Sequence, residues 1–264
     1  MVADRAWTRA PRGLLVLAGF GFVFMATPIL GMLLRAPWGD AAQDLTSPEA
    51  LTALRLSLEV SLAATGVAMI VGFPLAWVLA RIPFPGRSVV RAVAILPLVL
   101  PPVVAGVALF AGLGRRGLIG RWLAQLGITL PFTTVGAVVA AAFVASPLLV
   151  LSLESGLRSL DSRLEAAATT MGASRWYVLR RVTIPLLRPQ LIAGLVLTWA
   201  RALGEFGATI TFAGNLQGRT QTLPLAVYQI LQSDPGGAIM VSILLVAVSL
   251  VALVALRGRI LATG

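Results

Sequence analysis

The sequence predicts an all-α membrane protein, a polytopic bundle of six transmembrane helices. Of its 264 residues, 58% are hydrophobic and 12% are charged, whereas about 25% are charged in an ordinary soluble domain. Several apolar runs extend over about 18 residues or more, and a helix of that length crosses a hydrocarbon core of about 30 Å. The basic residues lie mainly in the segments between these runs. Lipid is therefore the expected main solvent of the bundle.

The six predicted helices belong to one transmembrane domain that covers 1–264. The first helix follows Arg5, Arg9 and Arg12. Its apolar stretch is longer than the roughly 7–15 residues of a signal-peptide core, so we expect the helix to be retained. The predicted spans are approximately 14–34, 55–80, 88–113, 133–155, 189–213 and 237–256.

Proline is concentrated in the third predicted helix, in the run from Leu96 to Pro102. Pro97, Pro101 and Pro102 each lack a backbone donor, so the helix bends here unless neighbouring groups satisfy the freed carbonyls. The bend has two interpretations: it faces a transport pathway, or it serves packing alone. The sequence leaves both open.

The distribution of arginine predicts the orientation of the bundle. With the N-terminus in the cytoplasm, fourteen arginines fall on the cytoplasmic side and five on the outer side, which satisfies the positive-inside rule. Both termini are therefore expected in the cytoplasm. The outer arginines are Arg35, Arg115, Arg116, Arg121 and Arg219, of which the middle three form the one discordant loop.

The composition excludes several kinds of chemistry. The chain has no cysteine and no histidine, which excludes disulfides, thiol catalysis, haem ligation and the usual zinc sites. Its 21 basic residues are all arginine, and a P-loop needs a lysine on the phosphates. We expect no enzymatic activity and no cofactor in this chain, with any ATP and Mg²⁺ bound by a partner. Nucleic acid is not an expected partner, because the arginines do not form one basic face.

A long segment, 156–188, separates the fourth and fifth predicted helices, and its pattern predicts two short helices. Asp161 is a suitable N-cap for the first, Gly172 for its C-terminus, and Ser174 for the start of the second, which we expect to end before Pro185. An amphipathic helix pair of this kind has two interpretations. It docks into a soluble partner, or it lies on the membrane surface among lipid headgroups.

The same segment resembles the EAA loop of ABC-importer permease subunits. The resemblance runs from Glu165-Ala166-Ala167 to Trp176 and continues to Leu186. It implies that the loop inserts into a cleft of a separate ATPase subunit and transmits nucleotide-driven closure to the membrane helices. The residues that it assigns to this coupling are Glu165, Ala166, Ala167, Met171, Gly172, Ala173, Ser174, Arg175, Trp176 and Pro185.

Glu165 departs from the family pattern by one position. In the family the glutamate stands six residues before the glycine, which is the place of Ala166 here, whereas Glu165 stands seven residues before Gly172. The helix around Glu165 matches the family pattern, whereas Glu165 itself does not occupy the family's glutamate position.

The fifth predicted helix contains two charged residues, Arg201 and Glu205. A charge near the bilayer centre costs about 2.5–3.5 kcal/mol on insertion scales, and the i,i+4 spacing lets the two neutralise one another. They are either a structural ion pair or part of a pathway that attracts an anion. Glu59 and Glu154, near helix ends, are attributed to interfacial solvation. The pathway or gate candidates are Arg201, Gly204, Glu205, Phe206, Gly207 and Thr209.

The segment 201–209, together with 214–228, resembles the molybdate permease family; sulfate permeases share the Arg-x-x-Gly-Glu-aromatic-Gly part. The resemblance implies a type I importer fold, a place in a bacterial inner membrane, and transport of molybdate or tungstate. Six helices are few to enclose a pathway, so we expect a homodimer of this chain. The resemblance also implies two ABC ATPase subunits. An oxyanion-binding protein is expected on the outer loops, including Asn215–Pro235. The alternatives are a sulfate or thiosulfate permease, or a channel or ion-coupled transporter that acts alone.

Overall fold

The computed structural model describes the backbone of residues 11–261 and the side chains of 11 and 13–251. This part of the chain is helical and contains no strand, so the predicted all-α bundle is confirmed. A π-helical turn, Leu179–Thr183, lies between α9 and α10. The helices are α1 (Arg12–Arg35), α2 (Ala41–Leu45), α3 (Pro48–Arg81), α4 (Arg87–Val99), α5 (Pro102–Leu113), α6 (Gly120–Gln125), α7 (Thr134–Ser159), α8 (Ser162–Thr170), α9 (Arg175–Val178), α10 (Ile184–Leu203), α11 (Gly207–Phe212), α12 (Leu223–Ile230) and α13 (Pro235–Leu261).

Four helical stretches of the described chain are long and apolar enough to cross a membrane: Gly13–Arg35, Pro48–Arg81, Thr134–Ser159 and Arg175–Leu203. Shorter apolar stretches, Pro102–Leu113 and Pro235–Val251, lie in the regions of the third and sixth predicted spans. The bundle thus contains apolar helix in all six predicted regions, with different bounds.

The second span begins at Pro48 rather than at Arg55, because local capping starts the helix early. The Ser47 hydroxyl accepts a hydrogen bond from the Ala50 amide at 3.2 Å, and Pro48 occupies the first turn, where its missing donor costs nothing. The charged pair Arg55 and Glu59 is therefore inside α3, with both side chains exposed.

The third predicted helix is not continuous. α4 ends at Val99, Leu100 is extended with φ −62° and ψ 135°, and α5 starts at Pro102. The residue before a proline disfavours the helical region, and Pro101 and Pro102 impose that restriction twice in succession. The prediction of one continuous helix over 88–113 is therefore wrong. The break falls within the proline-rich run from Leu96 to Pro102.

The fifth predicted helix, 189–213, is wrong at both ends. Helix continues from Arg175 through the π turn and Pro185 to Leu203, so the second loop helix does not end before Pro185. Pro185 lies in the first turn of α10, directly after the π turn, where the hydrogen-bond register changes and a missing donor is tolerated. At the other end, Gly204–Phe206 interrupt the helix before α11.

α7 is the central helix of the bundle. In an apolar stretch of 18 residues, 56% of its residues are buried, whereas none is buried in the corresponding stretch of α1. It packs against α3 through small side chains such as Ala64, Ala141 and Ala145. The crossing of α7 and α10 is close: a Cβ at Gly194 would stand 2.9 Å from Cβ of Ser152. The small residues let helices approach where lipid supplies no hydrophobic drive.

Replacing Gly194 by alanine should destabilise the bundle. The added Cβ overpacks the α7–α10 crossing, and we expect a loss of about 1–3 kcal/mol, partly offset by the higher helix propensity of alanine. Thermal unfolding of the purified chain in detergent measures the change. Gly66→Ala is the matched control, because no atom lies within 4 Å of its Cβ position; equal melting temperatures for the two variants would contradict the packing assignment.

Candidate coupling loop and helix-break site

The loop between α7 and α10 is a defined structure built by its caps. The Asp161 carboxylate accepts from the Arg163 amide at 2.9 Å, and the Ser174 hydroxyl accepts from the Tyr177 amide at 3.3 Å. Between them, Gly172 has φ +87°, a left-handed conformation that glycine adopts without strain at a helix C-terminus. All three predicted caps are confirmed.

One side of this helix pair presents apolar side chains to the surroundings. Met171 is 82% exposed and Trp176 is 63% exposed. The Arg180 guanidinium carbon lies 5.5 Å from the centre of the Trp176 ring, which is a cation–π distance. We call the accessible part of this helix pair the loop surface; its exposed members are Leu164, Ala166, Ala167, Met171, Gly172, Ser174, Arg175, Trp176 and Tyr177, beside the half-buried Ala173.

An open depression lies within the loop surface, lined by Ala168, Met171, Gly172, Ala173, Ser174 and Tyr177. Large exposed apolar side chains beside arginines are typical of a protein interaction site. Most of the predicted coupling residues are thus accessible. Pro185 is also exposed but belongs to the continuous helix that leads away from the loop.

Glu165 points away from the loop surface. Its Oε1 accepts hydrogen bonds from Arg81 Nη2 at 3.1 Å and from the Thr183 hydroxyl at 2.7 Å. These partners belong to the end of α3 and to the π turn. The sequence grouped Glu165 with the other coupling residues, and the structure separates it from them.

The helix-break site consists of Arg201, Gly204, Glu205, Phe206, Gly207 and Thr209, at the break between α10 and α11. Within this site, Arg201 and Glu205 form an ion pair. Arg201 Nη1 lies 2.6 Å from Glu205 Oε2, and the two side chains are 31% and 2% exposed. Glu205 Oε2 accepts no hydrogen bond in this arrangement, so its attraction to Arg201 is electrostatic. The predicted pairing is confirmed, although the pair does not lie along one continuous helix.

Glu205 also caps α11. Its Oε1 accepts from the Ala208 amide at 2.9 Å, so one oxygen satisfies a free donor at the helix N-terminus while the other faces Arg201. A carboxylate at this end of a helix is also favoured by the helix dipole. Glu205 is therefore bound to both sides of the break.

The two interrupted helices cross close to their breaks. A Cβ at Gly207 would stand 3.2 Å from the Pro102 carbonyl carbon, and one at Gly106 would stand 3.1 Å from the Ala208 oxygen. A close approach is thus found at Gly207. It is not found at Gly204, which is exposed and whose Cβ would meet only the Ala200 oxygen at 3.7 Å within the chain.

The remaining helix-break candidates differ in accessibility. Thr209 is buried in α11. Phe206 is half-buried, and its ring centre lies 5.2 Å from that of Tyr228 in α12. Arg201, Gly204 and Phe206 are therefore the predicted pathway residues with accessible surface, while Glu205, Gly207 and Thr209 are enclosed. No three acidic side chains within the described chain are grouped closely enough to hold a metal ion.

Glu154 corrects the sequence analysis. It was attributed to interfacial solvation, but its side chain is buried and forms ion pairs with Arg91 and, at 2.8 Å, with Arg158. The i,i+4 spacing of Glu154 and Arg158 was a visible signal in the sequence. Arg91 lies 63 residues away, and only the packing of α4 on α7 brings it into contact.

The segment after α11 is fastened by buried polar groups that the sequence analysis did not single out. The Ser57 hydroxyl accepts from the Leu223 amide at 2.6 Å, and Gln221 Nε2 donates to Gln229 Oε1 at 2.6 Å. The Thr220 hydroxyl accepts from the Leu216 amide at 2.9 Å. The first bond joins α12 to α3, and the other two lie within the segment 216–229.

Solved structures share this fold. The chain aligns with a bacterial ABC transporter involved in the import of the acidic polysaccharide alginate, with a TM-score of 0.72 and 19% identity over 94% of this chain and 93% of that one. The MetNI methionine ABC transporter gives a TM-score of 0.62 and 19% identity, over 82% and 96% of the two chains. The fold is that of the membrane subunits of ABC importers.

The family follows from the sequence of residues 72–260, which match the family described as binding-protein-dependent transport system inner membrane component. The chain belongs to this family and is a multi-pass permease subunit of the inner membrane.

Three curated relatives are informative. The molybdenum transport system permease protein ModB of Mycobacterium tuberculosis is 44% identical over 96% of both chains. ModB of Escherichia coli K12 is 46% identical over 79% of this chain and 92% of its own. The sulfate transport system permease protein CysT of Escherichia coli K12 is 35% identical over 81% of this chain and 78% of its own.

Replacing Glu205 by alanine should destabilise the bundle. The change removes the cap of α11, worth about 1–2 kcal/mol, and leaves Arg201 without its ion-pair partner. Chemical unfolding of the purified chain in mixed micelles measures the difference. Glu59→Ala removes a carboxylate from an exposed pair in α3 and should shift stability by less than about 0.5 kcal/mol. Equal effects of the two substitutions would refute the capping role.

Proposed function

We propose that this chain forms the membrane pathway of an ABC importer for molybdate, as a homodimer with two ATPase subunits and an oxyanion-binding protein. The observation that carries the proposal is the 44% identity to a molybdenum permease over 96% of both chains. A second observation supports it: a helix pair with exposed apolar side chains lies in the position of the EAA loop. Tungstate, a similar tetrahedral dianion, is included in the proposed substrate class.

The proposed ATPase contact is the loop surface. A cytoplasmic loop with exposed Met171, Trp176 and Tyr177 needs a protein or lipid partner to cover it. The sequence provides no lysine and hence no P-loop of its own, so the energy for import comes from ATP and Mg²⁺ on the partner. Fourteen arginines against five favour an orientation with cytoplasmic termini. In this orientation the loop lies on the same side of the membrane as the ATPase.

The identities of this chain to two permeases of one organism favour molybdate over sulfate as the substrate. Within Escherichia coli K12 the molybdenum permease is 46% identical to this chain, and the sulfate permease 35%. The helix-break site supplies one accessible cation, Arg201, which suits an anion in passage, while Glu205 reduces the strength of attraction. A gate must bind its substrate weakly enough to release it. Fine discrimination among oxyanions is assigned to the binding protein, which docks on the outer loops including Asn215–Pro235.

A homodimer accounts for the apolar surfaces that one copy leaves open. The side chains of α1 are almost entirely exposed, and six spans are few to enclose a hydrated dianion. A two-fold pair places two helix-break sites on opposite sides of one pathway. Rigid-body rotation of the two halves, driven at the loop surface, then provides alternating access.

Replacing Gly172 by valine should uncouple the ATPase. The left-handed conformation costs a residue with a Cβ about 1–2 kcal/mol, and relief of that strain distorts the turn at the loop surface. We expect ATPase co-purification and ATP-driven uptake to fall by at least about fivefold. The matched control is Gly127→Val, which has a comparable φ of +76° and equally open surroundings in the predicted outer loop; unchanged uptake by Gly172→Val would remove the support for the docking loop.

The substrate can be tested by pairing binding proteins with the reconstituted complex. We expect a molybdate-binding protein to stimulate ATPase activity and molybdate uptake in liposomes, and a sulfate-binding protein to do neither. Stimulation by the sulfate-binding protein alone would assign the chain to sulfate. Uptake by the purified chain without ATPase subunits and ATP would indicate a channel or an ion-coupled transporter.

A further inference from the structure

Glu165 lies where three elements meet at one end of the bundle. Arg81 is the last residue of α3, Thr183 is the last residue of the π turn, and Glu165 is in the first turn of α8. A single carboxylate oxygen, Oε1, accepts from both Arg81 and Thr183. The carboxylate therefore connects the loop helix to the second transmembrane span and to the helix that continues into α10.

This three-residue contact is largely shielded from solvent. The Glu165 and Arg81 side chains are 21% and 23% exposed, and Thr183 is buried. Charge-assisted hydrogen bonds are stronger than neutral ones, and removal from water strengthens them further. The contact is therefore suited to transmitting movement between the helices that it connects.

The neighbouring helix ends are already joined to one another. Glu154 of α7 pairs with Arg91 of α4, and the Leu79 carbonyl of α3 accepts from Arg87 and Arg158. α3, α4 and α7 therefore form one charged network at this end of the bundle. Within the described residues, Glu165 is the residue of α8 whose side chain hydrogen-bonds to other helices.

We propose that Glu165 is a positioning residue, a strut that transmits movement of α8 to α3 and α10 without contacting the ATPase itself. The inference rests on the proposed function, because the movement originates in the ATPase bound at the loop surface. The Glu165 side chain is bound to Arg81 and Thr183, whereas Ala166, Ala167 and Met171 are exposed. The accepting oxygen of Glu165 is occupied inside the chain, so the strut and the contact surface are formed by different residues of the loop.

Transport measurements distinguish a strut from an ATPase contact. We expect Glu165→Gln, Arg81→Gln and Thr183→Val to leave ATPase co-purification at the wild-type level. Uptake per ATP hydrolysed should fall by about fivefold or more, the lower range of a typical coupling between sites. Thr183→Ser keeps the hydroxyl and should behave as wild type. The exchange Arg81→Glu with Glu165→Arg should restore at least half of the lost coupling.

The control is Glu59→Gln, which makes the same chemical change in an exposed Arg–Glu pair of α3. It should leave uptake per ATP unchanged. Loss of ATPase co-purification in Glu165→Gln would overturn the strut and make Glu165 a contact residue. Wild-type uptake per ATP in that variant would also overturn it.

A second measurement needs only this chain. Because the sequence has no cysteine, Ile82→Cys and Arg163→Cys place two spin labels at exposed positions next to Arg81 and on α8. We expect a narrow distance distribution that broadens when Glu165 becomes glutamine and stays narrow with Glu59→Gln. An unchanged distribution in Glu165→Gln overturns the strut alone. Failure of the wild-type chain to bind any ATPase instead counts against the proposed function.

Discussion

The organisation of this bundle depends on pairing each enclosed carboxylate with arginine. Glu154 and Glu205 are buried, and Glu165 is largely shielded. An unpaired charge in such surroundings is costly, and its pairing is favourable only when the geometry is complete. Each of the three glutamates meets an arginine and a second helix or helix end. These three enclosed carboxylates therefore lie where helices end, break or meet.

The breaks in α4–α5 and α10–α11 belong to one arrangement. Irregular backbone at membrane depth is tolerated only where protein covers it or where it lines a cavity. Here each break lies against the other element: Gly207 packs on Pro102, and Gly106 on Ala208. The proline-rich bend thus has a packing role, and its contact with the helix-break site also places it next to the proposed pathway.

A single helical rod joins the two candidate sites. Arg175–Leu203 is continuous helix over 29 residues, about 43 Å at 1.5 Å per residue. Trp176 lies at its first turn and Arg201 at its last. Because α-helices resist bending more than loops do, this rod suits the proposed coupling between the loop surface and the ion pair at the break. The π turn at 179–183 is the local irregularity in this rod, and it is also where Thr183 meets Glu165.

The sequence by itself determined the membrane class, the six apolar regions, the caps of the loop helices and the pairing of Arg201 with Glu205, because these depend on composition, local capping and short spacing. Only the tertiary structure decided the interruption at Leu100 and at Gly204–Phe206, the burial of Glu154 and the direction of Glu165. Arg81 and Glu165 are 84 residues apart in sequence. Contacts across such separations come from the packing of α3, α7 and α10, which local periodicity does not encode.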